Sequence, residues 1–96
     1  MIVLHVDLWV KPGAALALEK TYRGDFRPAI SKQRGFMDVA LLRGAAERNE
    51  YRLVIIFREE KLRQQWVATS LHQQVWSKME MHLGRYAGKT FEPVPA

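Results

Sequence analysis

The stretch IVLHVDLWV at positions 2–10 alternates without a break. Ile2, Leu4, Val6, Leu8 and Val10 are all aliphatic, and in an extended chain they share one side, because successive side chains of a strand point to opposite faces. Val3, His5, Asp7 and Trp9 share the other side and hold every polar group of the segment. A strand built this way suits a sheet whose aliphatic face is covered by helices. Its mixed face is left to line a cavity or to pack on another sheet.

The rest of the chain supplies the elements for that sheet. Lys11-Pro12-Gly13 breaks the first strand, since proline removes a donor and glycine relaxes the backbone. Residues 14–27 have helical spacing, with Leu18, Tyr22 and Phe26 at successive intervals of four. Gly24 and Pro28 predict a kink or a short second helix through Ala29 and Ile30 that ends at Gly35. Residues 36–43 and 50–58 read as strands, and the polar turn between them makes an antiparallel hairpin. From Glu59 the pattern is helical. It is interrupted at Ala68-Thr69-Ser70, where Thr69 or Ser70 can cap a second piece running from 71 to 82, and Gly84 is expected to stop it. Residues 85–92 form a last, weaker strand.

The order is β-α-β-β-α-β, one α+β domain over residues 1–96 with a ferredoxin-like antiparallel sheet and its helices on one face. The other sheet face exposes too much apolar area for a monomer, so a second copy of the chain is expected to cover it, sheet to sheet.

Composition narrows the function classes. The chain has no cysteine, which removes disulfides, thiolate metal sites and a cysteine nucleophile. The opening residues lack a basic lead and a small-residue cleavage site, and Asp7 would sit badly in a signal peptide. No apolar run approaches the roughly 20 residues of a membrane span. A cytoplasmic protein with no membrane partner is expected. The formal charge is +5, but the basic residues are dispersed among acids, which describes a solvating surface. An RNA-recognition module shares this strand order, yet EYRLVIIFR on the third strand lacks the glycine–aromatic pattern that stacks bases, so no nucleic-acid partner is expected.

The chemistry-bearing residues are few. WVATSLHQQVW holds Trp66, His72 and Trp76. On a continuous helix the two tryptophans are about 1000° apart and fall near one side. They can form a slot that stacks a flat ligand, or they can be core. His72 lies one turn before Trp76 and can accept a substrate proton, or it can be a structural histidine. His5 and Asp7 share a strand face and form either an acid–base pair or a polar contact between sheets. A metal held by His5, Asp7 and a further histidine rests on too little, and none is expected. Trp9 and Tyr22 complete the candidate substrate-binding set. Tyr51 and Tyr86 are further candidate donors, and Arg85 and Lys89 are edge-strand charges that can meet an anion.

The chain resembles the antibiotic biosynthesis monooxygenase family of the dimeric α+β barrel superfamily over about residues 1–92. The resemblance is carried by the element order, the VKPG turn, the PAISKQRGFMDVALLR segment and the FREEKLRQQWVATSLHQQVW block. It implies a homodimer whose subunits each hold a pocket between sheet and helices. Some relatives oxidise polycyclic phenols to quinones with oxygen and no metal, haem or flavin. Others degrade haem, and others have no known activity. The haem-degrading branch is similar in Trp66 but relies on an asparagine near Asp7 and a histidine at the place of Trp76. His72 falls four residues short of that ligand position, and haem ligation needs a proximal nitrogen. Two functions follow as expectations. One is a cofactor-independent monooxygenase for a small aromatic, phenolic or quinone-type compound, with His72, His5 or Asp7 in proton transfer and Trp66, Trp76, Trp9 and Tyr22 around the substrate. The other is a non-catalytic dimer of the same fold that binds a planar ligand.

Overall fold

A computed structural model describes residues 1–96. Strand β1 (Ile2–Val10) leads into helix α1 (Ala15–Thr21), a π turn (Tyr22–Phe26) and helix α2 (Arg27–Ile30). Strands β2 (Phe36–Arg43) and β3 (Glu50–Phe57) follow, then α3 (Glu60–Val67), α4 (Ser70–Glu80) and β4 (Leu83–Phe91). The sheet order is β2-β3-β1-β4, and every neighbouring pair is antiparallel. This is the expected ferredoxin-like arrangement.

The alternation of β1 decides the layering. Ile2, Val6, Leu8 and Val10 are buried with Leu53, Ile55 and Phe57 of β3, and they pack on Leu18, Phe26, Ile30, Trp66, Val75 and Met79 from the helices. All the helices therefore lie on one face. The other face carries Val3, His5, Asp7 and Trp9, paired in register with Ile56, Val54, Arg52 and Glu50.

The kink expected near Gly24 is a π turn. Residues spaced by four drift by about 40° per step on an α-helix. The wider π turn takes back that drift and keeps Leu18, Tyr22, Phe26 and Ile30 on one buried stripe. Arg27 N–H donates to the Tyr22 carbonyl five residues back. Pro28 has no N–H, so an α-helical register would in any case leave the Gly24 carbonyl unpaired.

Two details depart from the sequence reading. A bulge between Phe36 and Asp38 shifts the β2 register, so Phe36 pairs with Phe57 and its ring packs edge-on at 6.1 Å. It thus leaves the parity of Asp38, Ala40 and Leu42. Helix α4 ends at Glu80, and Gly84 lies inside β4 rather than terminating the helix. The chain turns instead at Met81 and His82, where both backbone N–H groups donate back to α4 carbonyls. Gly35 is required where it stands: its φ is +83°, and a side chain there would overlap Leu62.

Candidate functional site

The interruption in WVATSLHQQVW builds the site. Thr69 caps α4 by accepting the backbone N–H of His72 at 3.1 Å, and its hydroxyl donates to the Trp66 carbonyl at 2.7 Å. One side chain thereby ties the end of α3 to the start of α4. The result is an edge-on contact between the rings of Trp66 and His72, with centroids 5.1 Å apart at 89°. Phe26, from the π turn, packs edge-on against both Trp66 and Trp76 at 6.4 Å.

A cavity of about 140 Å³ lies between this assembly and the sheet. Leu4, Val6, Leu53 and Ile55 form its sheet side. Phe26, His72 and Trp76 form its helix side, and Tyr86 and Gly88 of the edge strand β4 close one flank. The Tyr86 ring meets Trp76 edge-on at 5.0 Å. The walls are apolar apart from the imidazole of His72, the indole N–H of Trp76 and the phenol of Tyr86.

His72 stands out chemically. Its Nδ1 is buried with no hydrogen-bond partner. Burial, and secondarily the charge of Arg63, hold its pKa below the ordinary value of 6.5. The ring is therefore neutral at pH 7, with one nitrogen able to accept a proton.

The sequence-derived candidates separate into three places. His72 and Trp76 line the cavity, and Trp66 is buried behind them against His72. Tyr22 is buried at a different crevice, with Glu19, Arg23 and Arg43, and burial raises its pKa. His5, Asp7 and Trp9 lie across the sheet from the cavity. His5 and Asp7 do not hydrogen-bond to each other. Residues two apart on a strand are nearly 7 Å apart, whereas cross-strand partners sit closer. Accordingly Arg52 donates to Asp7 at 2.8 Å, the His5 ring packs on Phe91 at 5.0 Å, and Arg85 covers the Trp9 ring at 3.9 Å.

Sequence reasoning missed one polar network. Tyr51 and Arg43 both donate to Glu19, at 2.5 and 2.7 Å, and these two bonds hold the Glu19 carboxyl below its ordinary pKa. Four crevices adjoin it, of about 180 to 380 Å³. Their charged groups are largely matched with one another, as in Asp7–Arg52 and Glu19–Arg43. The smaller cavity is apolar, carries no charged group in its lining and includes His72, and is the better candidate ligand site. No group of three or more His, Asp or Glu side chains is placed to hold a metal, and no helix is long and apolar enough to cross a membrane.

An apolar cavity under an α+β sheet, with an aromatic wall and one neutral histidine, is the candidate site of a small α+β protein. Residues 1–77 match the antibiotic biosynthesis monooxygenase family model, and the chain belongs to that family. No curated protein matches it in sequence. The fold matches a Bordetella bronchiseptica protein whose name places it among the antibiotic biosynthesis monooxygenases, at 18% identity over 98% of each chain and a TM-score of 0.87. A Nitrosomonas europaea protein named for the same family matches at 17% identity, over 99% of this chain and 100% of its own, with a TM-score of 0.84. SnoaB of Streptomyces nogalater, described as a cofactor-independent oxygenase, matches at 16% identity over 99% of this chain and 95% of its own, with a TM-score of 0.85.

Proposed function

We propose that the protein is a cofactor-independent monooxygenase that oxidises a phenolic compound to a quinone in the cavity beside His72. The observation that carries this reading is an aromatic-walled cavity lined by His72, a residue whose imidazole is neutral at pH 7 and half-buried, with no charged group in the cavity wall. The substrate ring stacks against Trp76 and Phe26, and its hydroxyl donates to His72. As the proton moves to the imidazole, the electron-rich ring reduces oxygen. One oxygen atom becomes the new ring carbonyl. The other leaves as water with the hydrogens lost from the ring carbon and the hydroxyl, so phenol and O2 give quinone and H2O. The ring loses four electrons and O2 gains four.

The magnitudes are compatible. A phenol titrates near 10 and His72 below 6.5, so full proton transfer is uphill by at least about 5 kcal/mol. Turnover at about 10 per second tolerates a total barrier near 16 kcal/mol. Oxygen uptake with simple phenols and hydroquinones tests the reading. We expect uptake by the wild-type chain and a fall of about 10²- to 10⁴-fold in His72→Phe. Saturable tryptophan quenching without uptake would identify a binding module instead. The haem alternative is the weaker reading, since the resemblance puts Trp76 where that branch relies on a histidine.

The open sheet face fits a second copy of the chain. Leu42 and Phe91 are exposed there, beside half-buried Val3, Trp9, Val54 and Ile56. On this reading His5, Asp7 and Trp9 serve the contact between subunits rather than the chemistry. Sedimentation should report a dimer that dissociates in Ile56→Lys.

A further inference from the structure

We infer that Trp66 fixes the tautomer of His72: the sealed Nδ1 carries the ring proton, directed at the indole face, and Nε2 is the nitrogen that meets the ligand. Trp66 is on this account a positioning residue. Its part in the reaction rests on the assignment of the His72 cavity as the substrate site, whereas the tautomer itself does not.

The two ring nitrogens have different surroundings. Nδ1 is closed off from solvent and has no hydrogen-bond partner. Nε2 also lacks a partner within the chain, but it is not closed off. His72 is half-buried and lines a cavity that opens to solvent. A ligand in that cavity can therefore reach Nε2 and cannot reach Nδ1. Acceptance of a substrate proton then requires the neutral ring to keep its own proton on Nδ1, because a nitrogen that already holds a proton has no lone pair to offer.

What Nδ1 meets decides where the proton sits. The buried Trp66 ring stands at 89° to the imidazole with the ring centres 5.1 Å apart. That separation lies toward the short end for edge-to-face pairs, so no third group fits between the rings. An indole face is electron-rich: it repels a nitrogen lone pair and attracts an N–H. The neighbouring polar groups offer Nδ1 nothing better. The Thr69 hydroxyl gives its single proton to the Trp66 carbonyl and has none left for an Nδ1 lone pair. Arg63, whose charge acts on the ring, is turned to Glu60. An aromatic face is a weaker acceptor than a carbonyl oxygen, so Nδ1 keeps most of its desolvation cost while its protonation state is fixed.

The test is the imidazole nitrogen NMR spectrum of the full chain at pH 7.5 without ligand, which reports the nitrogen that holds the proton of each neutral ring. Wild-type His72 should show the Nδ1–H form, with that proton shifted upfield by the ring current of Trp66. Trp66→Phe keeps an aromatic face and should keep the Nδ1–H form. Trp66→Leu removes the face and should turn His72 to the Nε2–H form that a free histidine favours. An Nε2–H form in wild type, an Nδ1 proton without the upfield shift, or an Nδ1–H form that survives in Trp66→Leu would overturn the inference. Should Trp66→Leu fail to fold, the wild-type proton shift decides alone. The spectra need no substrate, so they separate this inference from the monooxygenase reading. An upfield Nδ1–H with no oxygen uptake for any phenol would keep the tautomer and remove that reading, and uptake with an Nε2–H form would do the reverse.

Discussion

Replacing His72 with phenylalanine should make the protein more stable while removing its chemistry. The substitution keeps an aromatic ring against Trp66 and deletes the buried Nδ1, which has no partner. A buried polar atom left unpaired costs about 1–3 kcal/mol. The α4 cap is unaffected, because Thr69 accepts the backbone N–H of residue 72. At pH 7.5 we therefore expect a gain of about 1 kcal/mol or more, which for a domain of this size raises the midpoint by about 4–8 °C per kcal/mol. The gain should grow in acid. The folded-state pKa of His72 lies below the unfolded value of 6.5, so above 6.5 neither state takes a proton there and the histidine adds no pH dependence. As pH falls below 6.5 the unfolded chain binds the proton first, and wild type loses stability until the folded pKa is passed. That loss is at most about 1.4 kcal/mol per pH unit and is absent in the variant. Urea titrations of both proteins at one concentration, at pH 7.5 and pH 5.0, read the difference. A variant that is less stable than wild type at pH 7.5, or whose advantage fails to widen at pH 5.0, would refute the argument from burial.

Three further outcomes follow from named contacts. Phe26 is fully buried between Trp66 and Trp76, and Phe26→Ala should cost about 3–5 kcal/mol by urea denaturation. Thr69→Ala removes the α4 cap and the tie to α3, and should cost about 1 kcal/mol with a fall in phenol binding, whereas Thr69→Ser should keep both. Tyr51→Phe should raise the Glu19 pKa, since the Tyr51 hydroxyl is the leading cause of its depression. A depressed carboxyl stabilises the fold above its unfolded value of 4.5 and loses that contribution as pH falls through the folded pKa, so the variant should show a smaller acid-induced loss below pH 4.5.

The strand alternation and helix spacing were enough to read the layers. The parity of Ile2 to Val10 separates two faces and sets His5 and Asp7 together on one of them, but that this is the side away from the helices comes from the packing of the aliphatic set in the folded core. The i, i+4 stripe from Leu18 to Phe26 foretells the buried face of the first helical arm. Other features depend on distance or register that no local pattern carries. The bulge at Met37 moves Phe36 to the core through pairing with Phe57, a contact 21 positions away in the register. The Glu19–Tyr51–Arg43 network joins a helix to two strands and exists only once the sheet has formed. The meeting of Trp66 with His72 depends on the helix break at Thr69, which continuous helical geometry does not describe.

The most direct measurement is the ring-nitrogen NMR spectrum of the three histidines during titration with hydroquinone under anaerobic conditions. The account predicts that the His72 nitrogens shift saturably, with the same midpoint as the tryptophan quenching, while His5 and His82 stay in place. Saturable quenching with His72 unmoved would place the ligand elsewhere and contradict the account.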